Sequence, residues 1–110
     1  HLLCEVARRM SDCIRKSDTL ARLGGDEFVI VCADASLEGT AAVARKVIES
    51  VSRPFLTDGH QLTVTPSIGI GLFPQDGHDF ETLLKHADTA MYRAKESGRN
   101  AYQFFAREMN

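Results

Sequence analysis

The chain is expected to fold as a single α/β unit, a mixed sheet covered by helices, and three observations lead there. Segments with apolar residues at helical spacing alternate with shorter apolar runs of strand character. Turn residues separate them, so that the elements follow the order α-β-β-α-β-β-α-β, which builds helices onto a mixed sheet. The length agrees, because 110 residues make one domain at most. A chain of that size buries roughly 60–70% of its unfolded surface, enough for one core.

Leu3, Val6, Ala7, Met10 and Ile14 recur at helical spacing, which predicts an amphipathic helix from Leu2 to about Arg15. A polar connection, 15–18, leads into a hairpin with arms Thr19 to Leu23 and Phe28 to Cys32, joined by a glycine-led loop. Ser36 is placed to cap a second helix, with Glu38 near its positive end. Leu37, Ala41, Ala44, Ile48 and Val51 line one face of that helix to about Ser52, and Pro54 stops it.

A second hairpin is expected from Pro54 to Thr57 and Gln61 to Phe73, turning at Asp58-Gly59. Its long arm alternates. Leu62, Val64, Ile68, Ile70 and Leu72 lie on one face, and Thr63, Thr65, Ser67, Gly69 and Gly71 on the other, small enough for another element to pack close. Pro66 lacks an N–H, so a bulge or an unpaired position is expected there. Asp79 caps the last helix, whose buried stripe is Phe80, Leu83, Leu84, Ala87, Met91 and Ala94. Gly98 sits where a glycine follows a helix end, and Ala101 to Phe105 reads as a final strand.

Composition excludes several classes. Hydrophobic residues make 44% and charged residues 25%, as in ordinary soluble globular proteins. A net charge of −2 argues against gripping DNA or RNA by bulk electrostatics, while leaving room for a small nucleotide held by a few local cations. Cys4, Cys13 and Cys32 are odd in number and lack metal-ligand spacing, which fits a reducing, cytoplasmic compartment better than a disulfide framework. Cys4 and Cys13 read as small core fillers, and His60, His78 and His86 as turn, loop and solvated helix residues.

The most informative stretch is Gly24-Gly25-Asp26-Glu27-Phe28, which sets two adjacent carboxylates at or near a hairpin tip. Such a pair suits divalent metal and phosphate chemistry; its plainer reading is solvated, edge-protecting charge. Further blocks follow in order: Arg22-Leu23 before the hairpin, then Ser67-Ile68-Gly69-Ile70, Ala87-Asp88 with Ala90-Met91-Tyr92, and Ala94-Lys95 followed by Gly98-Arg99-Asn100. Together they resemble the GGDEF family of diguanylate cyclases over almost the whole chain.

That resemblance implies a palm-like fold, as in nucleotide cyclases and polymerases. It implies that two GTP molecules are joined into cyclic di-GMP with release of two pyrophosphates, each 3′-hydroxyl attacking the other's α-phosphate. It also implies a homodimer in which two domains meet face to face, with Mg²⁺ or Mn²⁺ as cofactor. Asp26 matches the metal ligand of the signature, and Glu27 its second acid, needed for activity. Either could take the proton. Gly24 and Gly25 match the backbone that approaches the substrate. Lys95 and Arg99 match a basic pair that holds GTP phosphates; four residues apart at a helix end, they also complement the helix dipole.

Arg15 and Asp18 match an arginine–aspartate motif that binds cyclic di-GMP as product inhibitor, although such a pair also reads as a surface ion pair. Lys46 falls where some members place a further arginine of that site; lysine lacks the planar fork. The family pattern extends upstream of His1, through a first helix and a central first strand with a second metal-binding aspartate, a phosphate-binding lysine, and the asparagine and aspartate that read guanine. The 110 residues are thus expected to be a partial domain, its C-terminal two thirds or so, inactive alone and with strand edges lacking their central partner. The tail from Tyr102 to Asn110 resembles the junction into an EAL phosphodiesterase domain. The alternative to an enzyme is a binding module that senses GTP or cyclic di-GMP and regulates such an attached domain. The resemblance also fits the cytoplasmic part of a membrane-attached sensor.

Overall fold

The computed structural model describes residues 2–14, 18–23, 26–33, 37–98 and 101–105. Helix α1 (Leu2–Ser11) is followed by strands β1 (Asp18–Arg22) and β2 (Glu27–Ala33), then helix α2 (Leu37–Ser52). Strands β3 (Phe55–Thr57), β4 (His60–Leu62) and β5 (Ser67–Phe73) precede helix α3 (Phe80–Glu96) and strand β6 (Ala101–Phe104). The main sheet runs β1-β2-β5-β6, and β3 and β4 form a small separate ribbon. β1 and β2 are antiparallel, whereas β5 lies parallel to both β2 and β6. The mixed α/β architecture read from the sequence is therefore the one observed.

The sheet is covered on both faces. On one face Phe28, Ile30, Cys32, Ile68, Ile70 and Leu72 pack with Met10 of α1 and with Val43, Ala44, Val47 and Val51 of α2. On the other, Val29 packs with Ala87 and Met91 of α3. The period-two alternation in β5 sends Ile68, Ile70 and Leu72 to the first face and Gly69 and Gly71 to the second. A Cβ on Gly69 would stand 1.8 Å from the Ala87 carbonyl oxygen and 2.4 Å from the Met91 nitrogen. The glycine lets the α3 backbone rest directly on the sheet, as the small-residue face predicted.

Several expectations are corrected. The long arm of the second hairpin is not continuous. Residues 63–66 are not strand, the ribbon stops at Leu62, and β5 joins the main sheet instead. Two prolines bound the break: Pro54 stands where the ribbon's next partner would be, and Pro66, also without an N–H, directly precedes β5, its carbonyl accepting from Ala101 N at 3.1 Å. The Asp58-Gly59 turn forms as expected, both residues having positive φ (50° and 76°), which suits the twist of a tight hairpin. Strands β2 and β5 were expected to lack a partner between them, but they pair directly from Glu27↔Ser67 to Ala33↔Phe73. Their backbone donors and acceptors satisfy one another.

Helix α1 ends at Ser11 rather than near Arg15, in a tighter turn marked by Cys13 N donating to Met10 O at 3.0 Å. Asp79 caps α3 as expected, its carboxylate accepting from Thr82 N at 2.8 Å and Thr82 Oγ1 at 3.0 Å. Gly98 follows the helix end with φ 115°, its N–H on the Lys95 carbonyl. The buried stripe of α3 includes Ala90 and excludes Phe80, which lies exposed in the first turn before the helix reaches the sheet. His86 is half-buried rather than solvated. Its ring stacks on Phe105 at 4.0 Å, and its Nδ1 donates to the Asp76 carbonyl at 2.5 Å. Cys13 is half-buried against the core, its thiol donating to the Arg9 carbonyl at 3.2 Å, and Cys32 is buried. Among the described residues, no helix is long and apolar enough to cross a membrane.

Candidate functional site

The candidate site forms where the first hairpin meets the C-terminal turn of α3. Leu23 N donates to Glu27 O at 2.7 Å and closes the hairpin. Asp26 O accepts from Ser67 N at 2.8 Å, which ties the hairpin loop to the start of β5. Asp26 is half-buried just before β2, and Glu27 is the first residue of that strand rather than part of the turn. This placement fixes the side-chain direction. Glu27 and Val29 are two apart and share the face that meets α3.

On that face Glu27 forms an ion pair with Lys95 Nζ, 68 residues away in sequence. The two side chains keep 21% and 31% of their exposure, so the pair is anchored yet open to a ligand. The meeting follows from matched steps. From Val29 back to Glu27 is about 6.6 Å along a strand, and from Met91 on to Lys95 is about 6 Å along a helix. Since Val29 packs in one cluster with Ala87 and Met91, one step further along each element brings the acid to the base. Beside Glu27 in register lies Ser67, whose Oγ is buried with no hydrogen-bond partner among the described residues.

Gly24, Gly25 and Arg99 lie outside the described residues, and so does Arg15. Among the described residues no three His, Cys, Asp or Glu side chains converge as a metal cluster. The donor set still suits Mg²⁺, which is commonly held by one or two carboxylates together with substrate phosphates. Asp26 and Glu27 offer the hard oxygens such an ion takes.

Two of the expected inhibitory residues, Asp18 and Lys46, lie within the described residues. Asp18 is buried at the start of β1, whereas Lys46 is exposed on α2. Lys46 lines a groove of about 510 Å³ between α1 and α2, together with Arg8, Arg9, Asp12, Glu49 and Arg53. Asp12 is the aspartate that lines this groove. Arg9 is committed to structure there: its guanidinium donates to the carbonyls of Ser50, Arg53 and Pro54 at 2.9, 2.7 and 3.0 Å and sits 3.8 Å over the Phe55 ring.

Comparison with known proteins gives the family and the fold. The family model described as diguanylate cyclase, GGDEF domain, matches residues 1–101. The chain is 44% identical over 109 residues to the bifunctional diguanylate cyclase/cyclic di-GMP phosphodiesterase MucR of Pseudomonas aeruginosa, covering 99% of this chain and 16% of the relative. It is 37% identical over 109 residues to the cyclic di-GMP phosphodiesterase PdeR of Escherichia coli, again 99% of this chain and 16% of the relative. An EAL/GGDEF domain protein from M. capsulatus superposes with TM-score 0.79 at 40% identity, covering 96% of this chain and 68% of that one. The chain thus spans about one sixth of the length of those two curated relatives.

Proposed function

The chain belongs to the diguanylate cyclase GGDEF-domain family, and on that premise we propose that it is the part of a cyclase domain that holds GTP phosphates while two GTP molecules condense into cyclic di-GMP and two pyrophosphates. The observation that carries this reading is the Glu27–Lys95 pair, which joins the signature acid to the late basic residue at one open spot. Lys95, with Arg99, presents cations to the phosphates. Gly24 and Gly25 bring backbone close to the substrate. Asp26 and Glu27 are the carboxylates that would hold Mg²⁺ or Mn²⁺. When bound, such an ion neutralises phosphate charge and makes the attacking 3′-hydroxyl more acidic. Each domain of a homodimer would present one GTP to the other.

The test uses the full-length protein carrying this chain, supplied with GTP and Mg²⁺. Cyclic di-GMP is expected in the wild type at well above the level given by Asp26→Ala. Equal product from both would overturn the catalytic reading.

A second reading, a binding module for cyclic di-GMP that regulates an attached EAL domain, is supported by the likeness to PdeR, a relative named for phosphodiesterase activity. On this reading Arg15, Asp18 and Lys46 hold the ligand. Calorimetry with cyclic di-GMP on the full-length protein and on Arg15→Ala tests it; equal affinity would exclude Arg15 as a determinant.

A further inference from the structure

We infer that the Glu27–Lys95 pair is a latch: Lys95 rests on Glu27, and an incoming di- or triphosphate must take the lysine from the carboxylate. The inference rests on the reading of Lys95 as a phosphate ligand and adds a regulation of that same site. It comes from the contact itself. Lys95 has a compact ammonium at the end of a flexible stem, able to swing between two acceptors. Its present acceptor is a carboxylate on the sheet, and the pair retains enough exposure for an anion to compete.

Two consequences follow from mass action. Anion binding includes the cost of parting Lys95 from Glu27, so the latch lowers affinity for phosphate whenever nothing else compensates the carboxylate. Once the anion holds Lys95, Glu27 is left as a bare carboxylate, free to take a cation. Phosphate binding therefore raises the affinity of Glu27 for a divalent cation, and by reciprocity the cation raises the affinity for phosphate. The buried Ser67 hydroxyl beside Glu27, which has no hydrogen-bond partner among the described residues, offers that carboxylate a nearby donor when the lysine leaves.

The experiment is a double-mutant cycle on the full-length protein, using pyrophosphate as the probe in EDTA, with Kd read by calorimetry. Glu27→Gln in the wild-type background is expected to tighten pyrophosphate binding about threefold to fivefold, the scale of a partly exposed ion pair. The same change made together with Lys95→Met is expected to alter Kd less than about twofold relative to Lys95→Met alone. Equal tightening in both backgrounds would mean simple through-space repulsion and would overturn the latch, as would no tightening in the wild-type background. Pyrophosphate that binds the wild type neither in EDTA nor in Mg²⁺ would instead overturn the phosphate-site reading beneath it. Melting curves accompany each variant, and Lys95→Gln replaces Lys95→Met should the latter lose its cooperative transition.

Discussion

Gly69→Ala is the substitution for which the structure gives the clearest magnitude. The added Cβ would lie 1.8 Å from Ala87 O, 2.4 Å from Met91 N and 2.8 Å from Met91 Cα. All three are backbone atoms of α3, so no side chain can rotate away. Restoring an ordinary contact near 3.4 Å requires α3 to retreat by about 1.6 Å, the difference between 3.4 and 1.8. Such overpacking costs about 1–3 kcal/mol, and a rigid helix backbone against a sheet belongs at the upper end. The retreat also loosens the Val29, Ala87 and Met91 cluster. Against this, alanine lowers the entropy of the unfolded chain by roughly 0.4–1 kcal/mol. A net loss of about 2–3 kcal/mol is expected.

Gly71→Ala is the control. Its Cβ would meet Leu83 O at 2.9 Å and Ala87 Cβ at 3.5 Å, so a shift of about half an ångström relieves it. Its net effect is expected within about 1 kcal/mol of wild type. Urea unfolding measures both. With a slope of about 1–3 kcal/mol/M, Gly69→Ala should lower the midpoint by about 0.7–3 M, at an unchanged slope, and Gly71→Ala by less than half as much. A midpoint for Gly69→Ala equal to or above that of Gly71→Ala would refute the claim that α3 rests on the sheet at Gly69.

Arg9→Met should destabilise the domain by about 2 kcal/mol, since it removes three charge-assisted hydrogen bonds from the end of α2 and the cation over Phe55, and Arg9→Lys should recover only part of that in the same urea titration. Ser67→Ala should leave stability unchanged or raise it by up to about 1 kcal/mol, because a buried hydroxyl without a partner is removed; a loss beyond about 1 kcal/mol would show that the hydroxyl is bonded. Hydrogen bonds from the Thr82 backbone and hydroxyl hold the Asp79 carboxyl below its ordinary range. A depressed carboxyl stabilises the fold above its unfolded-state pKa and loses that contribution as pH falls through its folded-state value. Asp79→Asn, which keeps a cap but does not titrate, should therefore show a shallower fall of melting temperature on acidification below about pH 4; parallel acid limbs in the two proteins would contradict this.

Much of the fold was legible because local rules and tertiary packing agree here. The Asp58-Gly59 turn, the Asp79 cap and the stop at Gly98 each depend on a few neighbouring residues, and each is found where expected. The alternation of Ile68, Ile70 and Leu72 with Gly69 and Gly71 fixed both faces of β5. Failures occurred where distant partners decide. Pro66 marks an interruption, but nothing local to residues 61–73 says that the segments on its two sides belong to different sheets. Phe80 fits the apolar period of α3 but precedes the point where the helix meets the sheet, so it stays exposed. His86 looks like an ordinary helix residue until β6 brings Phe105 onto its ring.

The Glu27–Lys95 contact lies between these cases, and it shows how packing places chemistry. Neither residue signals the other across 68 positions. Yet each continues a pattern that was visible: Glu27 extends the face of Val29, and Lys95 extends the stripe of Ala87 and Met91. What was missing was the axial position of the helix on the sheet. Gly69 supplies it, because the backbone of α3 at Ala87 and Met91 can approach only where no Cβ intervenes. Once Met91 is set against Gly69 and Val29, the spacings of helix and strand carry Lys95 to Glu27. A glycine two positions beyond Ser67, with no polar atom beyond its own backbone, thus determines where the ammonium sits relative to the signature carboxylate. Displacing α3 at that glycine should therefore disturb the ion pair before it disturbs either charged residue.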